Sequence, residues 1–171
     1  MLSRLRSGAL LVAALCSLSA GAQPRSPDAR RLFSVRSNYN RNEVVFEAVL
    51  DGDGFDLAKP IRNYWILHMH NDRIENLSSM EERLAFGVVL DHVARDRIVF
   101  HVRASSTRYV TVRLEGQRAF ATTKISGEES ELIALFATVD SRGVIPSVNS
   151  VELLGHSLAN DTLTRELIKV H

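Results

Sequence analysis

Arg97-Ile98-Val99-Phe100-His101-Val102-Arg103 sets Ile98, Phe100 and Val102 on one side of an extended chain, opposite Arg97, His101 and Arg103. Arg108-Tyr109-Val110-Thr111-Val112-Arg113-Leu114-Glu115 repeats the pattern, with Val110, Val112 and Leu114 opposite Thr111, Arg113 and Glu115. Side chains alternate across a strand, so both segments read as half-buried strands with one face on a core. Glu43 to Leu50 behaves the same way through Val44, Phe46, Ala48 and Leu50. Leu132 to Val139 is apolar on both faces and predicts a central strand. Weaker strand patterns cover Arg31 to Asn38, Ile61 to Met69, Gly87 to Val93, Arg118 to Ile125, Ser150 to Leu158 and Leu163 to Val170.

Turn-forming residues separate these runs: Asp51-Gly52-Asp53-Gly54, Glu115-Gly116-Gln117 and Ser141-Arg142-Gly143. Glu115-Gly116 joins two close runs and reads as a tight hairpin. One short helix is expected near 79–86. Ser78 with Glu81, and Ser79 with Glu82, offer overlapping capping boxes, and Gly87 is placed to end it. The expected class is all-β, mainly antiparallel, as a barrel or a sandwich; spacing does not decide between the two.

The 171 residues suit one domain. Arg4 and Arg6, the apolar run Gly8 to Leu18 and Ala20-Gly21-Ala22 have the three-part form of a cleavable signal peptide, cut before Gln23. The apolar run is too short to span a bilayer. An uncleaved anchor or a buried helix is the alternative, and Leu15 before Cys16 argues against a lipoprotein signal. The expected organisation is a signal peptide at 1–22, a flexible lead at 23–30 and one β-rich domain at 31–171. Cleavage would take the basic count from 21 to 19, against 20 acids, leaving about −1. That charge implies no nucleic-acid partner. It would also remove Cys16, the only cysteine, so the mature chain would form no disulfide. No other apolar stretch reaches transmembrane length, and the expected destination is periplasmic or secreted.

His68-Met69-His70 is the clearest candidate for chemistry. On an extended strand the two imidazoles would project together, roughly 6.5–7 Å apart, with Arg62 and Tyr64 on the same face. His101 is the candidate third ligand for zinc or copper. The competing reading is two histidines in a solvated turn at Asn71-Asp72. Asp51 to Asp56 hints at a calcium loop, but Asp56 and Arg62 occupy the positions that need glycine and glutamate, so a hairpin loop is preferred. Arg36 to Asn42 is rich in polar side chains that suit either a ligand cluster or self-bonded turns. No nucleophile elbow, P-loop or dinucleotide fingerprint occurs.

Arg36-Ser37-Asn38-Tyr39-Asn40, Pro60-Ile61-Arg62-Asn63-Tyr64-Trp65 and Glu82-Arg83-Leu84-Ala85-Phe86-Gly87 resemble segments of the bacterial family catalogued as domain of unknown function 4833. The resemblance covers roughly Leu32 to Val139. It implies a small exported domain and carries over no catalytic residue. It points to Arg36, Asn38, Asn40, Tyr64, Glu82 and Arg83 as candidate ligand-binding positions, with Trp65 shared as well. The architectural reading puts Trp65 in the core and pairs Arg36 with Glu82. The function expected is a non-enzymatic binding module for a small or lipid-like ligand in the cell envelope. The alternatives are a domain that binds another envelope protein, and a metal-binding protein or metal-dependent hydrolase using His68, His70 and His101.

Overall fold

The computed structural model describes residues 30–142 and 147–170. The expected signal segment, nearly all of the lead, and Gly143 of the third predicted turn lie outside the described residues. Among the described residues there are thirteen strands. They are β1 (Arg31–Ser37), β2 (Glu43–Ala48), β3 (Leu50–Asp51), β4 (Gly54–Phe55), β5 (Ile61–Leu67), β6 (Arg73–Asn76) and β7 (Val88–Val93). β8 (Arg97–Val102), β9 (Tyr109–Glu115), β10 (Arg118–Ile125), β11 (Glu128–Asp140), β12 (Ser147–Ser157) and β13 (Leu163–Lys169) follow. An α-helical turn, Ser79–Glu81, runs straight into a π-helical turn, Glu82–Phe86, to make the one short helix.

β11 organises the molecule. β10 pairs with its first part (Ile125↔Glu128 to Thr122↔Glu131), and β1 pairs with its later part (Ser34↔Ala134 to Ser37↔Ala137). β12 runs along nearly all of its other edge, and β13 extends β12. A register shift between Leu132 and Ala134 sets Ile133 out of step, which bends the strand where the two partners change over. Two arms leave β11: β1-β2-β5-β6 and β10-β9-β8-β7. The result is one large, curled, mixed sheet, a half-barrel. The all-β expectation holds, with the β1–β11 ladder parallel and the others antiparallel.

The alternating apolar faces meet between the arms. Phe33 of β1 stacks on Phe46 of β2 at 4.5 Å between ring centroids, and on Phe100 of β8 at 6.3 Å. All three rings are essentially removed from solvent, as are Ile98 and Val112 beside them. Burying each such side chain contributes about 1.5–3 kcal/mol, so this stack is a main tie between the arms.

The hairpins follow glycine chemistry. Gly116 is at φ 61° in the two-residue β9–β10 loop, and glycine is the residue that reaches that region without a Cβ clash. The β10–β11 turn places both Ser126 and Gly127 at positive φ, 52° and 87°. The short hairpin β3–β4 and the edge strand β6 go beyond the strands read from the sequence. The Asp51–Asp56 segment is the β3–β4 hairpin, held by Arg95, which donates to the Asp51 carbonyl at 3.0 Å and to Asp53 at 2.9 Å. No helix among the described residues is long and apolar enough to cross a membrane.

Candidate functional site

A cleft of ≈ 390 Å³ opens where the helix bridges the two arms. Five pieces of chain build its wall. Ala58, Lys59 and Pro60 come from the loop before β5. Asn63 comes from β5, and Ser79, Glu82 and Arg83 from the helix. Leu90 and Arg103 come from β7 and the exit of β8.

Each piece is held locally. The Asp56 carboxylate accepts from the backbone N–H groups of Ala58 (2.8 Å) and Lys59 (3.2 Å), an Asx turn that presents Lys59. The Ser78–Glu81 capping box forms as its spacing predicts. Glu81 accepts from the Ser78 backbone N–H and hydroxyl, both at 2.7 Å, and its N–H donates to Ser78 Oγ. The same carboxylate accepts from the Trp65 indole N–H at 3.1 Å. Burial works against the charged form of Glu81, but these hydrogen bonds outweigh it and hold its pKa below the ordinary 4.5. Trp65 meets Phe86 edge-on at 5.6 Å, and both pack partly on the core.

The C-terminal end of the helix is sewn to β5 and to the chain leaving β8. Asn63 donates to the Phe86 carbonyl at 2.7 Å, Arg103 N–H to Gly87 at 2.9 Å and Ala104 N–H to Ala85 at 3.0 Å. Gly87 is fixed by close approach: a Cβ there would collide with the Glu82 carbonyl oxygen. Arg83 and Arg103 are thereby brought to one cleft from separate elements.

Three cations and one carboxylate, Lys59, Arg83, Arg103 and Glu82, line the cleft, a net charge of +2. Among the described residues none of the four has an oppositely charged partner within 4.0 Å. Most other arginines in the arms are engaged, as Arg31 and Arg36 are on Glu43 and Arg108 is on Glu166.

The candidate ligand positions divide between two places. Glu82 and Arg83 line the cleft. Arg36 donates to Glu43 at 2.8 Å, so the expected Arg36–Glu82 pair is replaced by one with the residue directly across the β1–β2 ladder. The β2–β5 register puts Glu43 beside Ile66 and Ala48 beside Ile61, so Arg36, across from Glu43, lies toward the end of that ladder away from the cleft residues Pro60 and Ile61. Asn38 grips the Val139 backbone in both directions, accepting at 2.7 Å and donating at 3.3 Å, and Asn40 accepts from Asn42 N–H at 3.0 Å. Tyr64 carries the Arg62 guanidinium 4.7 Å above its ring; burial, then the Glu47 charge, pushes its hydroxyl above the ordinary 10.

The histidines are placed otherwise than an extended strand would place them. β5 ends at Leu67, and His68–His70 is a 3₁₀ turn closed by Asn71 and Asp72, both at φ 56°. Residues two apart on a 3₁₀ turn point in different directions, so His68 and His70 do not share a face. His68 lies 2.5 Å from Asp72 and 3.5 Å from Glu43, while His101, on the other arm, lies 3.0 Å from Asp91. The described residues contain no group of three or more His, Cys, Asp or Glu side chains arranged to hold a metal ion. Glu43 itself is buried; burial opposes its charge, but Arg36 and Arg31 outweigh that and keep its pKa below 4.5.

Lys59, Asn63 and Arg103 were not among the positions singled out from sequence. Arg103 read only as the polar face of its strand, and nothing local to it signals the helix that it meets.

No curated protein and no solved structure matches the chain at a significant level. A family model matches residues 33–166, a span that takes in the helix, every cleft residue and nearly all of the sheet. The chain belongs to the family described as Domain of unknown function (DUF4833).

Proposed function

We propose that the chain is an exported, non-enzymatic binding module of the cell envelope, and that its cleft binds a small anionic molecule. The observation that carries the reading is the set of three cationic side chains around a ≈ 390 Å³ cleft with no carboxylate partner among the described residues. A carboxylate or phosphate entering there meets charge-assisted donors held by a braced helix. The Asn63 amide, fixed on the Phe86 carbonyl, adds a polar wall beside them. The centre of the half-barrel is filled by Phe33, Phe46 and Phe100, which favours the cleft over an enclosed site. Export is supported by the tripartite form of residues 1–22.

Isothermal titration of the purified chain with inorganic phosphate and with citrate tests the proposal. Binding should weaken as salt rises, because exposed charges are screened. The Arg83→Gln/Arg103→Gln double variant should lose about tenfold or more in affinity, near 1.4 kcal/mol. Absence of binding for both anions at low salt would refute the reading.

A further inference from the structure

The cleft lies on the open seam of the half-barrel. The large sheet runs from β6 at one end of its path to β7 at the other, and among the described residues no ladder joins those ends. The cleft is nevertheless lined from both sides of the seam. Ile61 and Asn63 belong to β5, the neighbour of β6, and Val88 and Leu90 belong to β7. β5 pairs with β2 from Ile61 to Ile66, but the β6 ladder covers only Tyr64 to Leu67 of it. On that side Ile61 to Asn63 have no strand neighbour among the described residues. β7 pairs with β8 alone. Two strand margins without a strand neighbour therefore border one cleft, and such a margin is a template for another extended chain.

The β7 margin also differs from the other outer strands of this sheet. β6 carries Arg73 and Glu75, and β13 carries Arg165, Glu166 and Lys169. Charges of this kind guard an edge against pairing. Val88-Val89-Leu90 carries none, and the register shift that disrupts β7 falls beyond it, between Leu90 and His92. The charge at the seam comes instead from other elements, through Lys59, Arg83 and Arg103.

We propose that the cleft takes a short, extended, acidic peptide segment, added as a strand along the Val88–Leu90 margin with its carboxylate among Lys59, Arg83 and Arg103. This rests on the anion-binding reading of the cleft and adds the class of molecule that carries the charge. In strand addition the main-chain hydrogen bonds supply affinity and the side-chain sites supply selectivity. Here the uncharged margin offers the first, and the three cations offer the second to a carboxylate. A small anion would leave the unpaired strand backbone unused, whereas an acidic peptide engages it and the cations together.

The test uses titration calorimetry with a blocked peptide, acetyl-Thr-Val-Glu-Val-Thr-amide. Acetylglutamate amide presents the same carboxylate without the flanking chain. A fully N-methylated form of the peptide keeps the charge and loses every main-chain donor, and a third peptide has lysine in place of the glutamate. Each main-chain hydrogen bond multiplies affinity by about two- to twelvefold, so two or three make the peptide at least about tenfold tighter than acetylglutamate amide. The N-methylated and lysine peptides should each bind at least tenfold more weakly than the parent. Amide hydrogen exchange, followed by NMR on the unaltered chain, gives the location. Exchange at Val88 to Leu90 should slow with the peptide and stay unchanged with inorganic phosphate.

Equal affinity for the peptide and acetylglutamate amide, with phosphate still bound, would overturn the peptide and leave the anion site standing. Equal affinity for the parent and N-methylated peptides would overturn strand addition, and equal affinity for the glutamate and lysine peptides would overturn its acidic character. Peptide binding that slows exchange at β6 or β13 in place of Val88 to Leu90 would overturn the proposed seat. Failure of every anion, the peptide included, would remove both proposals together.

Discussion

Glu81→Ala removes one carboxylate that serves three donors, and the loss can be worked out and read optically. Glu81 accepts from Ser78 N–H and Ser78 Oγ–H at 2.7 Å each and from the Trp65 indole at 3.1 Å. Losing the capping box costs about 1 kcal/mol, the usual scale for a helix cap. Leaving the half-buried indole N–H without its partner adds about 1 kcal/mol more, the low end for an orphaned donor. A total of about 2 kcal/mol lowers the melting temperature of a domain this size by roughly 5–10 °C. Trp65 is the only tryptophan of the chain, so its emission reports on this contact alone. The variant should shift the emission maximum and melt early in thermal denaturation. Glu81→Gln keeps one acceptor oxygen and should fall between the two. An unchanged emission spectrum together with an unchanged melting temperature in Glu81→Ala would refute the argument that this residue braces the helix.

Phe33→Ala empties the stack between the arms and should cost about 3–5 kcal/mol in urea denaturation; a loss below about 1 kcal/mol would contradict the tie it is assigned. Acid should destabilise the fold through Glu43. Its folded pKa lies below the ordinary 4.5, so its contribution is complete above that value and is lost as pH falls through the folded value. Glu43→Gln should flatten that part of the stability–pH curve, and an unaltered curve would show that Glu43 does not shape it. Glu82→Gln removes the one carboxylate from the cleft wall and should tighten phosphate binding about two- to fivefold by calorimetry, the scale of an exposed charge interaction; weaker binding would reverse its role. N-terminal sequencing of chain recovered from an exporting bacterial host should begin at Gln23, and an intact Met1 would end the export proposal.

Much of the sheet was legible because a period of two is written directly into Glu43 to Leu50, Arg97 to Arg103 and Arg108 to Glu115. The capping box was legible for the same reason: Ser78 and Glu81 are three residues apart, and their contact is local. What was not legible is closure. That β11 would take β10 and β1 on successive parts of one edge depends on a register shift near Ile133, which no pattern in the apolar run announces. Of the two readings of His68-Met69-His70, the turn at Asn71-Asp72 is the one that forms, because two consecutive left-handed residues, Asn71 and Asp72, turn the chain back toward β6.

The site was legible only in part, and for a related reason. Glu82 and Arg83 sit in a recognisable helical motif. Lys59 is presented by a local Asx turn, but what brings Arg103 to the helix is a set of hydrogen bonds between the helix end and the chain leaving β8, segments well apart in sequence. The acidic partner of Arg36 was misassigned because Glu43 lies on the adjacent strand, and the ladder register that places it there is a property of the folded sheet.

The central claim is that the cleft formed by Lys59, Arg83 and Arg103 takes an anion. Calorimetric titration of inorganic phosphate at low ionic strength, on the unaltered chain and on Arg83→Gln/Arg103→Gln, addresses it most directly. Saturable binding to the unaltered chain and at least tenfold weaker binding to the double variant are expected. Equal affinity in both, or no heat in either, would contradict it.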